Sequence, residues 1–232
     1  MKSNGPRSDR MYMYVGLVCL IVIIALIASR GYLVELLQAQ DGWKRTTASV
    51  FWVGEDANAE NDFISNAPSA WDINWQQNYG GVDDPNCREG YYPCGFVPKE
   101  NPFYIALPYN DVDDEHIRKE TAVHIPWNDP SATGTLLKNR WVEVRFKGKS
   151  CYGQWEDVGP NGEDDWEYVF GDAKNPSNTF GLEAGIDLSP ALRDCLGADG
   201  SSEVRWRHIN EEEVPNGPWK EILTRYTGDE QH

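Results

Sequence analysis

Three aspartates stand where acid–base chemistry would want them. Asp157 closes the run Trp155-Glu156-Asp157 before Val158-Gly159-Pro160, Asp187 precedes Leu188-Ser189-Pro190, and Asp111 follows Pro108-Tyr109-Asn110. Each ends an apolar, strand-like stretch at the entry to a turn. Two carboxylates can act as a general acid–base pair when burial raises one pKa and the other group stays ionised. The competing role is structural, because Asp also caps turns by accepting backbone N–H bonds.

The elements that must position these groups are legible on either side of them. Trp141-Val142-Glu143-Val144-Arg145-Phe146, a break at Lys147-Gly148-Lys149, and a second extended run from Ser150 to Glu156 predict a β-hairpin. Asp157 ends it, and Gly159-Pro160 stops the strand. After Asp187, Ser189 is placed to cap a helix whose first residue is Pro190, and Gly197 sits where a helix end favours positive φ.

The order strand, Asp-x-Gly-Pro turn, variable loop, Asp-Leu-Ser-x-Ala and short helix ending in Leu-Gly resembles the double-psi β-barrel superfamily of rare lipoprotein A, expansins and barwin-type endoglucanases. Ala48-Ser49-Val50-Phe51-Trp52 is similar to that family's opening strand and Phe103-Tyr104-Ile105-Ala106-Leu107-Pro108 to its second stretch. Leu136 to Val142 resembles the entry to the central hairpin, and Val204-Arg205-Trp206-Arg207 the closing strand. The resemblance implies an all-β fold, a six-stranded double-psi β-barrel with short helical insertions. It also implies a shallow glycan groove lined by carboxylates at Asp157, Asp187 and, third, Asp111. In the glycan-active members one acid protonates a glycosidic oxygen, and a second acid or an anhydro-forming sugar hydroxyl completes cleavage. Other members bind glycan without hydrolysing it, so a lytic transglycosylase-like or glycosidase-like activity and simple binding both stay open. The lipoprotein pattern Ala-His-x-x-Leu-Pro has no histidine here; His116 and His124 lie further on and read as surface residues.

Sugar rings stack on Trp and Tyr faces, and the chain has ten tryptophans. Strand alternation places Trp155 on the same face as Asp157, so Trp155 and Tyr152, widened by Tyr109 and Tyr104, form the expected glycan-binding platform. Trp52, Trp141 and Trp206 read as core.

Met11 to Ser29 carries no charge, and nineteen residues at about 1.5 Å each approach the roughly 30 Å of a bilayer's hydrocarbon. Lys2, Arg7 and Arg10 precede it, so the segment reads as an uncleaved signal-anchor with a cytoplasmic N-terminus. The resulting plan is a cytoplasmic stretch 1–10, a transmembrane helix 11–29, a linker 30–47, a barrel ectodomain 48–210 and a polar tail 211–232. The location is the inner membrane, single-pass, with the bulk periplasmic. Polar insertions interrupt the barrel, with a helical stretch expected near Ser69 to Trp75, capped by Ser69.

The formal net charge is −16, and −18 once the basic first forty residues are set aside, which excludes nucleic-acid binding through a general field. Acidic clusters such as Glu163-Asp164-Asp165 lack the alternating ligand order of a calcium loop, and no cofactor or metal site is expected. Cys19 falls within the apolar span. The four remaining cysteines, Cys87, Cys94, Cys151 and Cys195, suggest disulfides in three possible connectivities. Cys87 and Cys94 bound a short loop that one bridge can close. The resemblance, which packs the helix after Asp187 against the central hairpin, implies Cys151–Cys195. The partners expected are therefore the membrane, through one N-terminal helix, and a glycan of the peptidoglycan type. The alternative is a non-catalytic accessory subunit of a membrane protein complex, with the barrel as its protein-interaction module.

Overall fold

A computed structural model describes residues 42–225. The anchor expected at 11–29 and the last seven residues lie outside the described residues. Among those described, no helix is long and apolar enough to cross a membrane. The strands are β1 (Lys44–Val50), β2 (Arg88–Glu89), β3 (Tyr92–Pro93), β4 (Tyr104–Leu107), β5 (Arg140–Phe146), β6 (Lys149–Val158), β7 (Ile186–Leu188) and β8 (Glu203–Ile209). The α-helices are α1 (Trp75–Tyr79), α2 (Trp166–Val169) and α3 (Pro190–Leu196).

Six strands close into a barrel in the order β1-β7-β4-β6-β5-β8. β1 runs parallel to β7 and β4 parallel to β6, while the remaining neighbours are antiparallel. The hairpin expected from the sequence is β5–β6. Lys147 (φ 46°) and Gly148 (φ 85°) form its two-residue turn, with the positive φ at both positions that matches strand twist. Ile105, Val142, Val144, Trp155, Leu188 and Trp206 are fully or almost fully buried in the main core. Trp141 and Trp206 are core, as read from the sequence, whereas Trp52 is only half-buried.

α3 follows its sequence signals closely. The Ser189 hydroxyl accepts from the Leu192 N–H at 3.2 Å, Pro190 opens the helix, and Gly197 ends it at φ 68°. The helix packs tightly on β6 because position 153 is glycine. A Cβ there would stand 2.7 Å from Leu192 Cδ1 and 3.0 Å from the Phe103 carbonyl. Beside this contact Cys151 and Cys195 are bridged, and Cys87 with Cys94 closes the small β2–β3 ribbon. Both expected pairings are present.

Residues 51–101 lay a second layer on the barrel's outer face. Phe51, Val53, Trp75 and Tyr79 pack there against Tyr104 and Ala106 of β4. Buried Asp83 ties this layer down by pairing with Arg88 and accepting from the Tyr104 hydroxyl at 2.8 Å. The helix expected to be capped by Ser69 starts instead at Trp75. Ser69 and Asp72 bridge each other across a turn, and Asp72 accepts from the Asn74 N–H, so the polar side chains stabilise a turn and delay the helix.

Two margins of the domain plan are placed by the strands. β1 begins at Lys44, and residues 44–47 pair with β8. The segment after 210 docks onto β6. Gln154 donates to the Thr224 carbonyl at 3.0 Å and accepts from Asn101 at 2.8 Å, and Trp219 packs 4.9 Å from Tyr152.

The Cys151–Cys195 bridge spans 44 residues, so it removes substantial freedom from the unfolded chain. Replacing both cysteines by alanine should lower unfolding stability by about 2–4 kcal/mol, measured by denaturant titration under non-reducing conditions.

Candidate functional site

The barrel brings the two central aspartates into a single row. Ser49 of β1 pairs with Asp187 of β7, Asp187 with Ala106 of β4, and Ala106 with Asp157 of β6. Directly paired residues project to the same face of a sheet, so all four point outward, on the side where Ala106 meets the second layer. The Asp157 and Asp187 backbones are thus two strand spacings apart, roughly 10 Å.

Asp157 reaches this face because of a β-bulge. The β4–β6 register pairs Ile105 with Trp155 and then Ala106 with Asp157, leaving Glu156 as the extra residue. The inserted residue reverses alternation, so Trp155 points into the core and Asp157 out. The expectation that they share a face is therefore corrected: strict period-two alternation fails at Glu156.

The two carboxylates are held differently. Asp157 is buried, and its Oδ1 accepts from the Ala70 and Val158 N–H groups, both at 2.8 Å. It thereby ties the loop before α1 to the end of β6, the turn-fixing role that Asp commonly takes. Asp187 is half-buried, and its Oδ1 accepts from the Ser49 hydroxyl. Gly159 passes over Ala106 between them, and a Cβ at that position would stand 3.2 Å from Asp187 Oδ2. Only glycine leaves that oxygen unobstructed.

Desolvation pushes both carboxyls up to about 7. The Ala70 and Val158 backbone N–H bonds oppose the shift at Asp157; at Asp187 the Ser49 hydroxyl opposes it, and the charges of Asp157 and Glu55 reinforce it. Glu55 was missed in the sequence. It is buried just past β1, accepts from Asn66 Nδ2 at 2.8 Å, and its own pKa is raised by burial. Its only sequence signal was a carboxylate soon after the opening strand. The site is thus an acidic trio whose carboxyls are all raised by burial, Asp157 and Asp187 to about 7, with Asp187 the most accessible member.

The other sequence candidates lie elsewhere. Asp111 is fully buried, accepting from Thr135 Oγ1 at 2.6 Å and the Leu136 N–H at 2.7 Å, with Arg118 Nε at 3.8 Å. It anchors the loop 111–136. Trp155, Tyr104 and Tyr109 are buried to within 1% and present no ring face to solvent. Trp155 Nε1 donates to the Asp157 carbonyl at 2.7 Å, Tyr104 serves Asp83, and the Tyr109 hydroxyl meets Thr121 at 3.0 Å. Tyr152 is half-buried against Trp219. These aromatics fill the core or pack against it and do not form a stacking platform. His116 and His124 are exposed, the latter stacked on Trp166 at 3.8 Å. Among the described residues no group of three His, Cys, Asp or Glu side chains is arranged to hold a metal ion.

Sequence reasoning also passed over His208. Its ring stacks between Trp155 and Phe170, with Trp127 and Trp206 edge-on, and desolvation drops its pKa to about 3.

Neither a comparison with protein-family models nor one with the curated proteins returns a match to this chain.

Two pH effects follow, of opposite sign. Asp187 holds its proton to about 7 when folded and loses it near 3.8 when unfolded. Its stability contribution is complete below 3.8 and lost as pH rises through 7. Asp187→Asn, which keeps an acceptor for Ser49, should therefore gain about 1–3 kcal/mol relative to wild type on going from pH 4 to pH 8, a partly exposed group being discounted. For His208 the folded state refuses the proton that the unfolded state takes near 6.5, so stability is lost as pH falls from 6.5 toward 3. His208→Phe should flatten that acid limb. Thermal melts at closely spaced pH values would read both effects.

Proposed function

We propose that this is a double-psi β-barrel protein of the bacterial cell envelope. It is held at the inner membrane by its N-terminal segment and directed at a glycan of the peptidoglycan type. The fold assignment is supported by the closed six-stranded order and its two parallel pairs, β1/β7 and β4/β6, which fit two interlocked psi connections. The observation that carries the function is the placement of Asp187, half-buried, hydrogen-bonded by Ser49 and approached closely by Gly159, where burial raises its pKa to about 7. A carboxyl that is still protonated near neutral pH and reachable from outside can give its proton to a glycosidic oxygen as the C–O bond breaks.

In this reading Asp187 is the general acid. Ser49 orients it, and burial, reinforced by the charges of Asp157 and Glu55, keeps it protonated. Asp157 acts through the backbone it holds and through its charge. Its two N–H bonds and the intervening Gly159 set it apart from the reacting oxygen. Cleavage then proceeds through a single acid, with a sugar hydroxyl closing an anhydro ring and leaving its proton to the carboxylate. The acidic surface suits a neutral sugar chain better than an anionic polymer.

The burial of Trp155, Tyr104 and Tyr109 favours a second reading, in which the barrel is a non-catalytic accessory subunit. The second layer exposes Phe63 and Ile73, each 72% accessible, as apolar contacts for a protein partner.

Incubating the purified full chain with peptidoglycan sacculi and analysing released muropeptides separates the two. Release of anhydro-muropeptides, lost by at least about 100-fold in Asp187→Asn and reduced by about tenfold in Ser49→Ala, is expected of the glycan-cleaving barrel. No release by wild type, together with a stoichiometric protein co-purifying from gently solubilised membranes, would establish the accessory subunit instead.

A further inference from the structure

A cavity lies at a rim of the barrel, where β5 begins and β8 ends, and none of Asp157, Asp187 or Glu55 lines it. It measures about 370 Å³, and Trp127, Arg140, Trp141, His208, Asn210 and Glu212 are among the residues that line it. That size matches a ligand of a few amino-acid residues, at the small end of known ligand pockets.

Its polar groups are incompletely used. Arg140 donates through Nε to the Leu136 carbonyl at 3.1 Å and lays its guanidinium over Trp127 at 4.9 Å. Among the described residues it has no ion-pair partner, although the chain's formal charge is −16, and burial alone shifts its pKa. The Nη donors of the fork therefore remain available. His208 lines the cavity through its ring, with both nitrogens buried beside the Val169 backbone, so it offers no donor that a ligand reaches. On the other side of the cavity is the turn 211–213. Glu211 pairs with Arg225 at 3.4 Å and Glu213 caps its own turn through Asn210, which leaves Glu212 without a partner among the described residues.

A cation donor set and an unmatched acid thus face one cavity without neutralising each other. A simple anion would meet the acidic turn, and a simple cation would meet Arg140. A sugar would find no free ring face, because Arg140 already covers Trp127 and Trp141 is only 3% exposed. A ligand carrying both charges satisfies every group.

We propose that this cavity binds a small zwitterion of the amino-acid or dipeptide class, its carboxylate on the Arg140 fork and its ammonium on Glu212. Arg recognises a carboxylate through two parallel N–H bonds, which sets the ligand's orientation. This site is independent of the glycan reading.

Isothermal titration of the full chain with alanylalanine, its C-terminal amide and its N-acetyl derivative tests the assignment. Alanylalanine should bind saturably with a Kd on the order of 0.1–1 mM, and loss of either charge should weaken binding by about tenfold. Arg140→Gln should make the free dipeptide and its amide bind alike, and Glu212→Gln should do the same for the free dipeptide and its N-acetyl derivative. Asp187→Asn should leave all three affinities unchanged, separating this site from the acidic row. Absence of saturation up to roughly 20 mM, equal affinity of wild type for the free dipeptide and its amide, or tighter binding of N-acetylglucosamine than of alanylalanine would overturn the proposal.

Discussion

Trp155 and Asp157 stand two positions apart on β6, and regular pleating would send both the same way. The extra residue between them, Glu156, breaks that regularity and sends the indole into the core and the carboxylate to the outer face. Most of the molecule depends on this local misfit. Without it either Asp157 enters a barrel lined by Val142, Val144 and Leu188, or Trp155 leaves a gap beside His208. The bulge has a cost. Glu156 is 1% exposed, one of its carboxyl oxygens lacks a partner, and burial together with the charges of Glu100 and Asp72 drives its pKa far above the ordinary range. A buried carboxyl kept neutral is tolerable where an ionised one would not be.

The strands and helix that carry the aspartates were legible because their signals are local. Alternation in β5 and β6, the Lys147-Gly148 turn, and the Ser189, Pro190 and Gly197 sequence around α3 each act within a few residues. The bulge was not, since nothing in Trp-Glu-Asp distinguishes a regular strand from one with an extra residue. Only the pairing with Ile105 and Ala106 decides it. The aromatic side chains misled for a related reason. Trp155, Tyr104 and Tyr109 have the same composition whether they bind sugar or fill a core, and the long insertion at 51–101 supplied the cover that buried Tyr104. Glu55 and His208 were invisible because their roles come from long-range packing and not from a motif.

That insertion also explains why the acidic row behaves unlike surface carboxylates. A bare barrel would leave the outer face of β4, β6 and β7 in water, where Asp157 and Asp187 would both ionise cheaply. The layer of Phe51, Val53, Trp75 and Tyr79 lowers the local dielectric beside Ala106, and the Ala70 N–H reaches Asp157 from the same insertion. One stretch of chain thus both dries the site and holds one of its acids in place.

The barrel's closing seam joins the first strand to the last. β1 hydrogen-bonds to β7 and β8, and Thr224 then seals the polar patch of Asn101 and Gln154 on β6. A chain emerging N-terminus first from a ribosome or an export channel therefore holds β1 with an open edge until about 140 further residues have appeared. An unpaired edge is a template for association with other chains. Lys44, Arg45 and two threonines at the start of β1, with few large apolar side chains, make it a poor one. The composition of the opening strand thus answers a problem of timing as much as one of packing: it must wait, exposed and unpaired, for a partner that is synthesised last.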